Sequence, residues 1–269
     1  MGLFIILRHL VAPLAKLAEQ RDEAARKALR ERNVNRIPPH LRDPENMWFG
    51  VSQRARIIFY SKERVENPPS TYEELADPAW KGKVCIRSSS NIYNQSLLGS
   101  LIEAHGEDAA KEWAAGIVEN MAREPQGGDT DQLRGIVSGE CDIAVANTYY
   151  FARGLASDVD GLTSGIDGIG WVWPNQSGRG AHVNLAAAGI AANAPNKAEA
   201  TALLEFLASE EAQAQFANAN NEYPVMSGVP IGEHVAKMGL FIPDNDTPTA
   251  SFKAHAADAQ TIFNEVGWD

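Results

Sequence analysis

Short apolar segments alternate with longer amphipathic segments along most of the chain. The short segments predict strands, at residues 56–60, 83–87, 141–146, 171–173 and 183–187. The longer segments repeat apolar residues at helical spacing and predict helices, at residues 90–102, 111–121, 131–138, 197–217 and 260–266, with another starting at residue 149. A capping box at residues 71–74 predicts one more short helix. Strands that alternate with helices are typical of an α/β protein with a largely parallel sheet.

The first 35 residues follow a different pattern. Leucine and alanine recur at helical spacing among arginine, lysine and glutamate between residues 10 and 33, which predicts a charged helix. Its polar face is wide, so the helix needs a surface on which to dock. Residues 36–44 contain two adjacent prolines and predict a loop.

The composition is ordinary for a globular protein and excludes some partners. The 269 residues are 44% hydrophobic and 22% charged, which suffices for one large or two small domains. A net charge of −11 argues against a nucleic-acid partner, which requires a basic face. The first residues do not resemble a secretion signal, and no segment has the roughly 18 apolar residues that span a membrane. Cys85 and Cys141 lie in apolar segments, and the sequence leaves open whether they form a disulfide.

Three tyrosines lie where predicted helices begin. Tyr93 follows the strand at 83–87, and Tyr149 and Tyr150 follow the strand at 141–146. In α/β sheets, ligands bind beyond the carboxyl ends of strands. A phenolate is a hard anionic ligand, and three phenolates would neutralise ferric iron, which in turn displaces the phenol protons. Taken alone, the pattern favours the alternative that these rings are half-buried packing residues with hydrogen-bonded hydroxyls.

Neighbouring polar residues are candidates for an anion site. Arg153 lies one turn beyond the tyrosine pair and is suited to stabilise a phenolate or hold an anion, although a surface position is an equal alternative. Ser89 and Ser90 supply hydroxyls for the same purpose, and for Ser90 we favour helix capping.

Other chemistries have weaker support. The sequence contains no G-x-S-x-G, H-E-x-x-H or phosphate-binding-loop motif. An enzyme that uses Ser89 or His182 remains an alternative, but His182 fits a structural hydrogen bond better. Asp129 and Asp131 are interpreted as helix caps.

One segment, LADPAWKGKV at 75–84, resembles a segment common in type II periplasmic substrate-binding proteins. Four others follow in order: SSSNIYNQS at 88–96, ANTYYFAR at 146–153, RGAHVN at 179–184 and NEYPV at 221–225. Together these four resemble the ferric-iron-binding proteins of ABC importers, the FutA/FbpA type. The resemblance runs from about Arg36 to the C-terminus. It implies that Tyr93, Tyr149 and Tyr150 are iron ligands and that Arg153 lies beside the site.

The resemblance also implies a fold of two α/β lobes joined by crossing strands near 56–60 and 183–188. Residues 61–182 would form the C-terminal lobe. Residues 36–60 and 183–269 would supply the hinge, the later helices and what remains of the N-terminal lobe. Residues 1–35 resemble nothing in the family and stand where its members carry a small α/β unit with a further tyrosine. We therefore expect an incomplete first lobe and a truncated or altered N-terminus.

The function implied is transport without catalysis. Such a protein captures Fe³⁺, with a synergistic anion, and delivers it to an ABC importer permease in the membrane. The resemblance also implies a periplasmic location, although no signal peptide is visible, and we expect a monomer. The alternatives are a type II binding protein for another small solute or organic anion at Arg153, and a non-functional fragment.

Overall fold

The computed structural model describes residues 36–43, 45 and 47–269, without the side chains of residues 250 and 253. The charged helix predicted for residues 10–33 lies outside the described residues. The strands are β1 (Trp48–Ser61), β2 (Val84–Cys85), β3 (Ile143–Asn147), β4 (Ile169–Val172) and β5 (Val183–Gly189). The α-helices are α1 (Ile92–His105), α2 (Glu107–Asn120), α3 (Asp129–Ser138), α4 (Thr148–Ala156), α5 (Lys197–Leu207), α6 (Glu210–Ala219), α7 (Glu233–Ala236), α8 (Thr249–Ala254) and α9 (Ala256–Val266).

The sheet has the order β2-β3-β1-β4, and β5 also pairs with β1. β2 and β3 are parallel, with Cys85 opposite Ala144. β1 is antiparallel to β3, with Ile58 opposite Val145, and also antiparallel to β4. The α/β class is therefore confirmed, whereas the prediction of a largely parallel sheet is wrong.

The described residues fall into two compact units. The smaller contains the residues up to Gln53 together with Leu185–Gly232, and the larger contains Arg54–Asn184 and Glu233–Asp269. Two of the three boundaries lie within β1 and β5, and the third lies between Gly232 and Glu233. One difference is that residues 233–269 belong to the larger unit, whereas the prediction grouped all of 183–269 with the N-terminal lobe.

The larger unit has its core where α1, α2 and α9 cover the sheet. Buried side chains from each element meet there, and they include Ile58, Leu97, Trp113, Ile143 and Phe263. Burying an aliphatic or aromatic side chain contributes roughly 1.5–3 kcal/mol, so this cluster is the main source of stability for the unit.

In the smaller unit, the side chain of Gln213 on α6 is buried and connects two other segments to this helix. Its amide nitrogen donates to the Val51 carbonyl at 2.7 Å, and its amide oxygen accepts from the Val225 backbone at 2.8 Å. An apolar cluster that includes Ile37 and Met226 packs in the same unit. The amide therefore ties α6 to β1 and to the segment that follows the helix.

The structure corrects two predicted helix boundaries. Residues 197–217 form two helices, because Ser209 leaves the helical conformation and caps α6 by accepting from the Ala212 backbone at 3.2 Å. The cap of α1 is Asn91 and not Ser90, since the Asn91 side chain accepts from the Tyr93 backbone at 2.9 Å. The box at residues 71–74 opens a 3-10 helix, Glu73–Ala76.

Cys85 and Cys141 form a disulfide, with Cα atoms 5.8 Å apart. Cys85 ends β2, and Cys141 lies just before β3. The bond therefore joins the two parallel strands that lead to the candidate tyrosines. Within the described part of the chain, every helix is too short or too polar to cross a membrane.

Candidate metal centre

Tyr93 lies in the first turn of α1, and its position follows from the cap of that helix. β2 ends at Cys85, and the chain then reaches Asn91, whose side-chain oxygen holds the Tyr93 backbone. The Tyr93 ring is half-buried. Its phenol oxygen therefore projects from the sheet edge at which β2 ends.

Tyr149 and Tyr150 lie in the first turn of α4, directly after β3. The strand ends at Asn147, which adopts an extended conformation, and the helix begins at Thr148. The rings of Tyr149 and Tyr150 lie against each other, with centroids 4.1 Å apart and an interplanar angle of 30°. Tyr149 is 9% exposed, and Tyr150 is half-buried.

The two helix starts bring their phenols together. The Tyr93 and Tyr149 hydroxyl oxygens are 3.1 Å apart and share a hydrogen bond. Because β2 and β3 are parallel neighbours, the segments that leave their carboxyl ends emerge at the same edge of the sheet. The structure thus groups the three predicted tyrosines in one cluster.

Burial raises the pKa of the Tyr149 phenol, and hydrogen bonds with Tyr150 and Tyr93 raise it further. The proton therefore stays on this oxygen at neutral pH unless a cation displaces it. A polyvalent cation is the kind of ligand that removes such a proton, because its charge stabilises the phenolate.

Arginines surround the tyrosine cluster. The Arg153 guanidinium carbon lies 5.8 Å from the Tyr149 ring centre and 5.5 Å from that of Tyr150. Three further guanidinium carbons lie 5.5–5.9 Å from the Tyr93 ring centre, those of Arg54, Arg56 and Arg87. At these distances the rings attract the cations. The concentration of positive charge also favours an anion or a phenolate nearby.

Four charged residues around the cluster were not predicted from the sequence to be part of the site: Arg54, Arg56, Arg87 and Asp129. Asp129 is not a cap, because its fully buried carboxylate pairs with Arg56 at 3.1 Å and accepts from the Asn147 backbone at 2.8 Å. Asp131 does cap α3, since it accepts from the Gly128 backbone. The sequence did contain one indication of the ion pair, because Arg56 is a charged residue within a segment predicted to be an apolar strand.

The two predicted serines lie in the segment before α1. The Ser90 backbone donates to Ser88 Oγ at 3.2 Å, and Ser88 Oγ lies 2.8 Å from Ser90 Oγ. Ser89 is buried, and its backbone donates to the Asp269 carbonyl at 3.0 Å. Ser90 is exposed, so its hydroxyl is accessible to a ligand.

His182 occupies a structural position, as the sequence indicated. Its ring is fully buried, with Nε2 3.2 Å from Ser96 Oγ and 3.1 Å from Asn184 Nδ2. Burial lowers its pKa from 6.5 to about 3. It contacts Ser96 and not the Ser89 of the enzyme alternative.

Tyrosine oxygens are the candidate ligands in the described residues. Among these residues, no three or more histidine, cysteine, aspartate or glutamate side chains are grouped to hold a metal ion. Phenolates are hard oxygen donors, which select a hard cation rather than a soft one.

Comparisons with known proteins show which sequences and structures this chain resembles. Over 233 residues the chain is 49% identical to iron uptake protein A1 of Synechocystis sp., covering 86% of this chain and 64% of that protein. The chain thus spans less than two thirds of that relative. Its structure resembles the Trichodesmium protein (IdiA, FutA) in complex with iron and citrate ligands, with a TM-score of 0.84 and 48% identity, over 88% of this chain and 75% of that one. It also resembles apo ferric ion-binding protein A of Pasteurella haemolytica, with a TM-score of 0.82 and 38% identity, over 90% and 74%.

A family model described as bacterial extracellular solute-binding protein matches residues 17–240. The match begins before Arg36, where the resemblance to the ferric-iron-binding proteins begins. It covers all five strands of the described sheet and all three candidate tyrosines. The chain therefore belongs to the bacterial extracellular solute-binding protein family.

Proposed function

We propose that this chain binds ferric iron through the phenolate oxygens of Tyr93, Tyr149 and Tyr150. The observation that carries the proposal is the 3.1 Å separation of the Tyr93 and Tyr149 oxygens. Two hard oxygen donors at this distance can bind one ion, and the adjacent ring of Tyr150 brings a third phenol to the same helix start. The names of the Synechocystis and Trichodesmium proteins, which refer to iron, support the choice of ion.

The second part of the proposal is a synergistic anion beside the iron. Arg153 is exposed and lies next to both tyrosines of α4, so its guanidinium can bind a carboxylate in bidentate fashion. The proposal also includes Ser89 and Ser90 as hydroxyl donors to the same anion; Ser90 is exposed, whereas Ser89 is buried and would have to become accessible. The Trichodesmium structure is described with citrate as well as iron, which supports an organic carboxylate.

The third part is delivery of the iron to a membrane permease of an ABC importer. Binding and release need no covalent chemistry, and the proposal gives the chain no catalytic step. A periplasmic location follows from the family, whose members are described as extracellular. The disulfide between Cys85 and Cys141 supports it, because disulfides persist in oxidising compartments.

The test of iron binding is a titration with ferric citrate followed by visible absorption. Ferric phenolate produces a charge-transfer band in the visible range, so the wild-type protein is expected to become coloured, and Tyr150→Phe is expected to lose most of the colour. Tyr60→Phe is the matched control, because Tyr60 lies on β1 in the same unit and outside the cluster. A wild-type protein that shows no visible band after the ferric titration would contradict the proposal.

The test of the anion compares wild type with Arg153→Gln over a series of citrate concentrations. We expect citrate to strengthen iron binding by the wild type and to have little effect on the variant. An equal citrate dependence in both proteins would remove Arg153 from the anion site.

A further inference from the structure

The buried ion pair of Arg56 and Asp129 lies next to the tyrosine cluster but contributes no atom to it. Both side chains are fully buried, and Arg56 Nη1 lies 3.1 Å from Asp129 Oδ2. Removing two charges from water costs about as much as their attraction returns. Stability alone therefore does not explain why this pair lies in the core, and its hydrogen bonds suggest another role.

One set of these bonds leads to Tyr93. Arg56 Nη2 donates to Asn94 Oδ1 at 2.7 Å, and Asn94 is the next residue after Tyr93. Asn94 Nδ2 in turn donates to the Arg87 carbonyl at 2.6 Å and to the Ser88 carbonyl at 3.2 Å. The ion pair thus holds both the first turn of α1 and the segment that leads into it.

The other set leads to Tyr149. Asp129 Oδ2 accepts from the Asn147 backbone at 2.8 Å, and Arg56 Nη1 donates to Asn147 Oδ1 at 3.3 Å. Asn147 is the residue directly before α4, and Tyr149 lies two residues further along the chain. The direction in which α4 leaves β3 is therefore fixed by the same two charged groups.

We infer that Arg56 and Asp129 are positioning residues that set the separation of the Tyr93 and Tyr149 oxygens before the ion arrives. This inference rests on the proposed ferric site. The Cys85–Cys141 disulfide links the chain before the two helices, whereas the ion pair is hydrogen-bonded to the helix starts themselves, through Asn94 and Asn147. A preorganised pair of ligands binds more tightly because less ordering accompanies binding. Arg56 and Asp129 therefore act on iron affinity through the tyrosines and not by touching the ion.

The experiment uses Asp129→Asn in the complete chain. The matched control is Asp244→Asn, because Asp244 forms another ion pair of the larger unit, 3.0 Å from Arg179, with a side chain only 2% exposed. Three quantities are compared: ferric affinity by competition with EDTA at a fixed citrate concentration, the position and intensity of the visible band, and the thermal unfolding midpoint.

We expect Asp129→Asn to lose about 10–100-fold in ferric affinity, the range seen when hydrogen-bond partners of metal ligands are removed, and to show a displaced band. Asp244→Asn is expected to unfold at a lower temperature while its affinity and band remain those of the wild type. If Asp129→Asn does not fold, Asn94→Ala is measured instead, since it breaks the link to Tyr93 and leaves both charges in place. The same loss of ferric affinity is expected.

The positioning role alone would be overturned if a folded Asp129→Asn protein kept the ferric affinity and the visible band of the wild type. If Asp129→Asn is unfolded, the same result in Asn94→Ala would overturn it. An equal loss of affinity in Asp244→Asn would overturn it as well, because the effect would then be general destabilisation. A wild-type protein that binds no iron would overturn the proposed function together with this inference. Iron binding by the wild type therefore distinguishes a failure of the proposed function from a failure of the positioning role.

Discussion

The hydroxyl oxygens of Tyr93 and Tyr149 are 3.1 Å apart, although 56 residues separate the two tyrosines in the chain. Each tyrosine follows a strand, and those strands are parallel neighbours joined by a disulfide. The same sheet edge therefore presents both oxygens. This relationship turns two distant sequence motifs into one candidate ligand set for ferric iron.

The first prediction concerns the coupling between these two tyrosines. Because they are proposed to bind one ion, the affinity losses of Tyr93→Phe and Tyr149→Phe should not add in the double variant. The measurement is a double-mutant cycle on ferric affinity. A double variant whose loss equals the sum of the single losses would indicate separate sites.

The second prediction concerns the disulfide. The bond between Cys85 and Cys141 closes a loop of 56 residues in sequence separation, and its loss should lower the free energy of unfolding by about 2–4 kcal/mol. The measurement is urea unfolding with and without a reductant. A variant with alanine at both positions is the control and should not respond to the reductant. Two reactive thiols in the native wild-type protein would contradict the bond.

The third prediction concerns acid stability and His182. Burial lowers its pKa from 6.5 to about 3 in the folded state, so between these values the unfolded chain binds the proton more readily. Its contribution to stability is complete above pH 6.5, decreases as the pH falls and is lost near pH 3. The slope approaches about 1.4 kcal/mol per pH unit for one proton.

The measurement is the free energy of unfolding of wild type and His182→Gln between pH 7 and the lowest pH at which both proteins fold. The variant is expected to show a shallower slope. The exposed His105 supplies the control, because His105→Gln should retain the steep dependence of the wild type. Parallel slopes for wild type and His182→Gln would show that another group carries the acid sensitivity.

The fourth prediction concerns the break between α5 and α6 in the smaller unit. Ser209 caps α6, so Ser209→Ala should lower the free energy of unfolding by about 1 kcal/mol. Ser209→Asp, which retains a capping oxygen, should remain near the wild-type value. Equal stability of the two variants in chemical unfolding would show that the cap contributes nothing.

The sequence pattern was sufficient to predict where the site tyrosines lie. Apolar segments predicted the strands before Tyr93 and Tyr149, and helix-start residues predicted the turns that carry them. The apolar pattern of a segment indicates that it is buried, but it does not indicate the direction of the strand. Both faces of a central strand are buried whether its neighbours are parallel or antiparallel to it. For that reason the antiparallel pairing of β1 was missed.

The supporting groups of the site were harder to predict. Asp129 precedes the helix predicted at 131–138 and has the pattern of a cap, and only the fold shows that Arg56 of β1 pairs with it. The end of α5 carries no glycine or proline, so the break at Ser209 was not predicted. Whether two distant cysteines bond depends on the distance between them, which spacing in sequence does not determine.

The most direct test of the central claim is a resonance Raman spectrum of the ferric-loaded protein, excited in its visible band. Tyrosine ligation predicts enhanced phenolate ring modes that shift when the protein is made with ring-deuterated tyrosine. The triple variant with phenylalanine at positions 93, 149 and 150 should show none of them. Modes that do not shift with deuteration, or that persist in the triple variant, would contradict iron binding by Tyr93, Tyr149 and Tyr150.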